Sequence, residues 1–256
     1  MRKKVFLLGS ALVTVLALAA QENKMKPEFT EYYEPVPRKV TPGKQPGEAP
    51  SDAIILFDGK NLDQWLSVND TTKPAGWKVA DGIITVDKKA GDIRTKQNFT
   101  DFQLHIEWRI PENITGSGQA RGNSGIFMAA AAGGAEYELQ VLDNYENKTY
   151  VNGQAGSIYK QTPPLVNANK KAGEWQYYDV VWTAPRFNAD SMLITPARIT
   201  VFFNGVLVQN NFELKGNTPY IGLPRYRAHG PAPIKLQAHG DPSEPISYRN
   251  IWLRPL

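Results

Sequence analysis

The sequence predicts an all-β protein, a sandwich or jelly roll of short strands. Apolar and polar residues alternate over Phe102–Ile110 and again over Ile234–His239, which is the period of a strand with one buried face. Turn-forming dipeptides such as Asp81-Gly82 and Asn204-Gly205 separate the apolar segments and are strong hairpin signals. No helical period extends over ten residues or more. Many short strands with Gly and Pro turns therefore favour two packed antiparallel sheets.

Composition limits the function classes. The chain has 256 residues, of which 41% are hydrophobic, enough for one sizeable β domain. Its formal net charge of +4 is spread along the chain without a basic block, so no nucleic-acid partner is predicted. The sequence contains no cysteine, which excludes a disulfide framework, a thiol nucleophile and a cysteine metal site.

The first residues have the form of a secretory signal. Arg2, Lys3 and Lys4 precede an apolar stretch and the small residues of Leu18-Ala19-Ala20, so we predict a signal peptide over residues 1–20. Residues 21–50 are polar and rich in proline and are predicted to form a tether or an arm on the domain, with no regular strand through most of Glu28–Pro46. The folded domain is expected over residues 51–256.

This organisation predicts the location of the protein. We expect a periplasmic or secreted protein that makes no membrane contact after signal cleavage. No segment after the signal is long and apolar enough to span a bilayer.

One segment organises the candidate site, the stretch Glu136–Asn144. At a period of two, Tyr137, Leu139 and Val141 point to one face, and Glu138 and Gln140 point to the other. Carboxylate and amide groups suit sugar hydroxyls, because both accept hydrogen bonds and the amide also donates. An isolated strand with this pattern is more typical of a solvated face. The candidate residue at its end is Asp143.

Two further strands have a polar face of the same kind. One carries Glu107 and Arg109 with His105, and the other carries Gln237 and His239 with Lys235. If these strands neighbour Glu138 and Gln140 in one curved sheet, all of them line one groove that binds an oligosaccharide or glycoside. Residues that would border this groove or stack on sugar rings are Arg94, Asn123, Tyr159 and Trp175.

Motifs for other chemistries are missing from the sequence. It has no Gly-x-Ser-x-Gly elbow, no glycine-rich phosphate loop and no His-Glu-x-x-His zinc motif. A hard divalent cation such as calcium, held by oxygen ligands near Asp143 or Asp241, stays open as a cofactor.

Ordered motifs along residues 51–256 resemble the 3-keto-disaccharide hydrolase domain family, which is common in secreted proteins of Bacteroidetes. The resemblance implies a concanavalin A-like jelly-roll β-sandwich of two antiparallel sheets. One position departs from the expected pattern, since Ala238 stands where an acidic residue is expected. The motifs are Leu56-Phe57-Asp58-Gly59-Lys60-Asn61-Leu62, Ile93-Arg94-Thr95-Lys96, Asp101-Phe102, Glu107-Trp108-Arg109, Gly122-Asn123-Ser124-Gly125-Ile126, Tyr137-Glu138-Leu139-Gln140-Val141-Leu142-Asp143, Gly173-Glu174-Trp175, Phe203-Asn204-Gly205-Val206, Leu236-Gln237-Ala238-His239-Gly240 and Tyr248-Arg249-Asn250-Ile251.

The resemblance also implies hydrolysis of glycosides whose sugar is oxidised at C3. The ketone makes the C2 proton acidic, so a base can remove it, the C1 oxygen can leave, and water can add afterwards. Glu138 and His239 are the expected acid and base, in either order. Arg109 or Arg94, with or without a divalent metal ion, would stabilise the enolate. Hydroxyl groups would be held by Gln140, Glu107 and Asp143.

Two alternatives remain open at this point. A conventional glycosidase would use Glu138 and Glu107 as its two carboxylates. A lectin on the same fold would bind sugars without turnover, since a fold alone does not decide activity.

Overall fold

Alternating apolar residues build two sheets in the computed structural model, which describes residues 25–256. The predicted signal peptide lies outside the described residues. Within residues 25–256 there is no α-helix, and the short 3-10 turns cover Pro27–Phe29, Gly118–Ala120 and Val151–Gly153. The strands are β1 (Ile54–Phe57), β2 (Trp65–Ser67), β3 (Lys78–Ala80), β4 (Ile83–Thr85), β5 (Ile93–Thr95), β6 (Phe102–Arg109), β7 (Ser124–Ala131), β8 (Ala135–Val141), β9 (Trp175–Thr183), β10 (Arg186–Phe187), β11 (Leu193–Thr195), β12 (Arg198–Phe203), β13 (Val206–Glu213), β14 (Lys235–Leu236) and β15 (Ser247–Pro255).

The strands form the predicted β-sandwich. An eight-stranded sheet has the order β13-β12-β9-β6-β15-β4-β3, with β1 also paired to β15. A five-stranded sheet has the order β2-β5-β14-β7-β8, and β10 and β11 form a separate hairpin. Neighbouring strands in both sheets run antiparallel. The all-β fold with two antiparallel sheets is therefore confirmed.

The core lies between the two sheets. Leu104, Ile106 and Trp108 of β6 and Leu139 and Val141 of β8 belong to one buried cluster. Because side chains alternate across a strand, the polar residues of β6 face outward from the eight-stranded sheet. Those of β8 face outward from the five-stranded sheet. The two polar sets therefore lie on opposite outer faces of the sandwich.

The proline-rich segment contains no strand among its described residues. The chain divides into two units between residues 39 and 40. Among residues 25–256 the first strand begins only at Ile54, as expected for Glu28–Pro46. Residues 40–50 belong to the same unit as the sandwich. The carbonyl of Gly47 accepts hydrogen bonds of 2.9 Å from Asn250 Nδ2 and Trp252 Nε1. In residues 25–256 no helix has the length and apolar character needed to cross a membrane.

Two adjacent phenylalanines of β12 test the assignment of the core face. Phe203 is fully buried, with its ring centroid 4.7 Å from that of Tyr178 and 5.6 Å from that of Trp108, whereas Phe202 is 40% exposed. We expect Phe203→Ala to lower the free energy of unfolding by about 3–5 kcal/mol. Phe202→Ala should cost about 1 kcal/mol or less. Urea denaturation measures both, and equal losses would contradict this assignment of faces.

Candidate active site

A polar cavity of about 300 Å³ lies on the outer face of the five-stranded sheet. The strand register explains its floor, because Lys235 of β14, Phe127 of β7 and Glu138 of β8 are neighbours across the sheet and share one face. We name it the Glu138 cavity. Its lining includes Asn123, Phe127, Glu136, Glu138, Gln140, Tyr159, Thr218, Tyr220, Lys235, Gln237 and His239.

The cavity brings together six of the residues that the sequence analysis singled out. Both candidates for acid and base, Glu138 and His239, line it, so they share one face of the sandwich. The other four are Asn123, Gln140, Tyr159 and Gln237. Glu138 and Gln140 lie on the polar phase of β8, and Gln237 and His239 follow β14 of the same sheet.

Glu138 is a buried carboxyl group with an unusual proton affinity. It is 7% exposed, and its carboxyl lies over Gly125, where a Cβ atom would come within 2.5 Å of Oε1. Burial raises the pKa of Glu138 to about 8; the charge of Lys235 opposes this rise, and Glu136 and Asp92 add to it. The group is therefore mostly protonated at neutral pH, as a general acid must be.

His239 is anchored by an ionised carboxylate. Its Nδ1 lies 3.0 Å from Asp241 Oδ2, and the backbone amide of Asp241 also approaches Nδ1, at 3.2 Å. Burial disfavours the charge of Asp241, but hydrogen bonds from His239, Ser243 and Lys88 outweigh burial and hold the pKa of this carboxyl well below its usual range. The closer and charged Oδ2 favours a proton on Nδ1, which leaves the lone pair on Nε2.

Amide groups of the cavity have oxygens free to accept hydrogen bonds. Gln140 Nε2 donates to Asn123 Oδ1 at 2.9 Å, and Asn123 Nδ2 donates to the carbonyl of Gln119 at 2.8 Å. The side-chain oxygens of Gln140 and Gln237 are buried without a hydrogen-bond partner in the part of the chain that the structure describes. Such acceptors fit sugar hydroxyls, which donate.

The sequence analysis assigned no role to Lys235, although it lies on the same polar phase as Gln237. This lysine is 7% exposed. Its Nζ lies 2.9 Å from Glu136 Oε1, 3.5 Å from Asp92 Oδ2, and 3.9 Å from the centroid of the Phe127 ring. The alternation of polar and apolar residues over Ile234–His239 places Lys235 on the same face as Gln237 and His239, and this signal could have identified Lys235 as a cation of the candidate site.

The expected contribution of β6 to the groove was wrong. Glu107 lies on the eight-stranded sheet, where it accepts hydrogen bonds from Arg249 at 2.6 Å and Asn250 at 2.8 Å. Arg109 packs on Trp175, with 4.7 Å between its Cζ and the ring centroid, and Arg249 packs on the same ring at 4.1 Å. These residues point away from Glu138 because β6 and β8 belong to different sheets whose apolar faces meet.

Two more predicted residues lie outside the Glu138 cavity. Asp143 is 4% exposed, and its Oδ2 pairs with Arg121 Nε at 2.6 Å beside a separate cavity of about 510 Å³. Arg94 lines a third cavity of about 360 Å³. Neither side chain lines the cavity that contains Glu138 and His239.

The possible divalent cation has no assembled ligand set among residues 25–256. There, no group of three or more His, Asp and Glu side chains is arranged to hold a metal ion. Near Asp241, the carboxylate oxygens are already engaged by His239, Ser243 and Lys88. Near Asp143, one oxygen is paired with Arg121. The residues present therefore do not fit the metal site that the sequence left open.

The raised pKa of Glu138 predicts how stability depends on pH. The group has a pKa of about 8 in the folded state against 4.5 as reference, so between these values the unfolded chain releases a proton that the folded chain keeps. Wild-type stability therefore falls as pH rises through this window. We expect Glu138→Gln to remove this loss of stability. At pH 8 the free energy of unfolding of the variant should exceed that of wild type by an amount on the order of a few kcal/mol, and the difference should shrink toward pH 4.5.

Chemical denaturation at a series of pH values measures this difference. The exposed Glu146→Gln is the matched control and should follow wild type throughout. An advantage of Glu138→Gln that stays the same from pH 4.5 to pH 8 would contradict a buried, protonated carboxyl.

Comparison with known proteins places this chain in a family. The profile of the 3-keto-alpha-glucoside-1,2-lyase-like domain matches residues 52–254. A crystal structure of a candidate glycosyl hydrolase from Parabacteroides distasonis ATCC 8503 is 56% identical, with 91% of this chain and 97% of that chain covered and a TM-score of 0.85.

A second candidate glycosyl hydrolase from the same organism is 23% identical, with 80% of this chain and 99% of that chain covered and a TM-score of 0.57. It shares the fold. None of the curated proteins compared with the chain matches it. The chain belongs to the 3-keto-alpha-glucoside-1,2-lyase-like domain family, and it is a carbohydrate-active protein.

Proposed function

We propose that this protein is an enzyme that cleaves glycosides whose sugar carries a ketone at C3. The observation that supports this most is the presence, in one cavity, of a buried protonated carboxyl at Glu138 and a carboxylate-anchored imidazole at His239. The family match supports the substrate class. Cleavage then needs one acid and one base rather than two carboxylates.

The proposed reaction begins at C2. A base removes the C2 proton, and the electron pair moves into the ketone to give an enolate. The enolate re-forms the ketone as the bond from C1 to the glycosidic oxygen breaks, which leaves a double bond between C1 and C2. An acid protonates the departing oxygen. Water then adds at C1 and a proton returns to C2, so the net result is hydrolysis.

His239 is the base and Glu138 is the acid in this proposal. With its Nδ1 proton shared with Asp241, His239 presents the Nε2 lone pair to the C2 proton. Glu138 holds its proton at neutral pH and gives it to the leaving oxygen. During hydration the roles reverse: Glu138 takes a proton from water and His239 returns one to C2.

Lys235 takes the part that the sequence analysis gave to Arg109 or Arg94. It is the cation whose side chain lines the Glu138 cavity together with the acid and the base. Its charge would stabilise the enolate oxygen, and because Lys235 is largely buried, solvent weakens this interaction less than at the surface. The free oxygens of Gln140 and Gln237 would hold the hydroxyls of the substrate.

The two alternatives receive less support from this geometry. The conventional glycosidase depended on Glu107, which lies on the other sheet and is bound by Arg249 and Asn250. A lectin has no use for a carboxyl whose pKa is raised by burial. Location outside the cytoplasm remains part of the proposal and rests on the predicted signal peptide.

Paired substrates and two variants test the reaction. We expect wild type to cleave a 3-keto-disaccharide and to leave the unoxidised parent nearly untouched, since only the ketone acidifies the C2 proton. Glu138→Gln should lower kcat by about 10²–10⁴-fold while the C2 proton still exchanges with deuterium oxide. His239→Asn should lose both cleavage and exchange. Product analysis and NMR of C2 measure these, with Glu146→Gln as the control.

Efficient hydrolysis of the parent disaccharide without C2 exchange would reject the keto-sugar mechanism. Binding of both sugars without turnover of either would favour the lectin. If exchange of the C2 proton is lost in Glu138→Gln but kept in His239→Asn, Glu138 is the base and His239 is the acid.

The raised pKa of Glu138 also predicts a pH profile. We expect kcat/KM for the 3-keto substrate to fall as pH rises through about 8, because the acid then loses its proton. The residual activity of Glu138→Gln should lack this alkaline fall, since an amide does not titrate there. If kcat/KM falls at the same alkaline pH in wild type and in Glu138→Gln, a group other than Glu138 causes the fall.

A further inference from the structure

Arg94 lines the cavity of about 360 Å³, which we name the Arg94 cavity, and has no counterion among residues 25–256. The residue is half-buried and its Nε is fully buried, and within residues 25–256 its guanidinium makes no hydrogen bond or ion pair. The cavity includes the Asn98 amide and the small side chains Ala130 and Ala131. Among the residues that the structure describes, no carboxylate lines it. A buried guanidinium N–H with no partner carries a desolvation cost that an anion bound to it would offset.

The neighbour of Arg94 makes this arrangement more costly. Lys235 lies directly opposite Arg94 on the next strand, and like charges in that position destabilise a sheet. Lys235 is compensated by Glu136 and Asp92. Arg94 has no such compensation among the described residues. The sheet therefore keeps one uncompensated positive charge beside the candidate active site.

The register relates Arg94 to the acid of that site. Arg94, Lys235, Phe127 and Glu138 follow one another on four adjacent strands, so Arg94 and Glu138 are separated by three strand spacings. At the usual spacing this is roughly 14 Å between their backbones. A sugar unit or an aglycone attached to the reacting sugar can bridge this distance.

We propose that the Arg94 cavity is a subsite for an anionic group, a carboxylate or a sulfate, on the part of the ligand remote from the reacting sugar. A guanidinium binds such groups with two parallel hydrogen bonds, and the Asn98 amide adds a further donor. The placement of this subsite on the substrate rests on the proposed function, whereas anion binding by Arg94 does not.

Calorimetry with matched probes tests the subsite. The probes are a neutral disaccharide, the same disaccharide with a carboxylate in place of its terminal hydroxymethyl group, the same disaccharide with a sulfate ester there, and inorganic sulfate. We expect wild type to bind the charged disaccharides about 10-fold or more tightly than the neutral one. Arg94→Gln should abolish this preference, and Arg94→Lys should keep only part of it.

Lys96→Gln is the matched control, because it removes an exposed positive charge two residues away and should leave the preference unchanged. Thermal unfolding confirms that each variant is folded. Equal binding of neutral and charged disaccharides by wild type, a preference that survives Arg94→Gln, or binding of inorganic sulfate alone would each overturn the subsite.

Failure of the proposed function would be recognised separately. Glu138→Gln should retain the preference for charged disaccharides even though its turnover is lost. If wild type cleaves no 3-keto-glycoside but its preference depends on Arg94, the anion subsite stands and the proposed reaction fails. If wild type cleaves the 3-keto-glycoside but binds neutral and charged disaccharides equally, the proposed reaction stands and the anion subsite fails.

Discussion

The burial of two apolar strand faces against each other is the constraint on which this molecule depends. Leu139 and Val141 of β8 meet the apolar residues of β6 in one core, and burial of apolar surface is the main driving force of folding. Because the side-chain period of a strand is two, fixing the apolar face also fixes the polar one. A shift of β8 by one residue would bury Glu138 in the core and expose Leu139.

That constraint gives the site its electrostatic character. Glu138 is held at the floor of a cavity, where the missing side chain of Gly125 leaves room for its carboxyl. Burial favours its neutral form, while Asp241 is kept ionised by three donors. Two carboxyl groups of one site therefore differ in charge at neutral pH, and this division of states is what acid and base chemistry requires.

The outer face of the eight-stranded sheet shows how similar residues serve structure instead. Glu107, Arg249 and Asn250 satisfy one another, and His105 Nδ1 lies 2.6 Å from Asp179 Oδ1. The His105 ring stacks on Trp252, whose Nε1 donates to the Gly47 carbonyl. His105 Nε2 is buried without a hydrogen bond among residues 25–256 and lies 3.6 Å from Glu107 Oε1. The Glu138 cavity differs in that its unpartnered atoms within those residues are acceptor oxygens, on Gln140 and Gln237.

The sequence by itself determined the fold class and the face of each strand, because alternation and turn residues are local properties. It also singled out Glu138, Gln140, Gln237 and His239, which the structure groups in one cavity because β8 and β14 belong to the same sheet. It did not determine which strands share a sheet. Glu107 and Arg109 have the same pattern as Glu138 and Gln140, yet the long-range pairing of β6 with β9 and β15 places them on the opposite face. Only tertiary structure decides such pairings, since they join segments far apart in the chain. With them it decided the burial of Glu138, the ion pairs of Lys235 and the position of Arg94, which has no partner among residues 25–256.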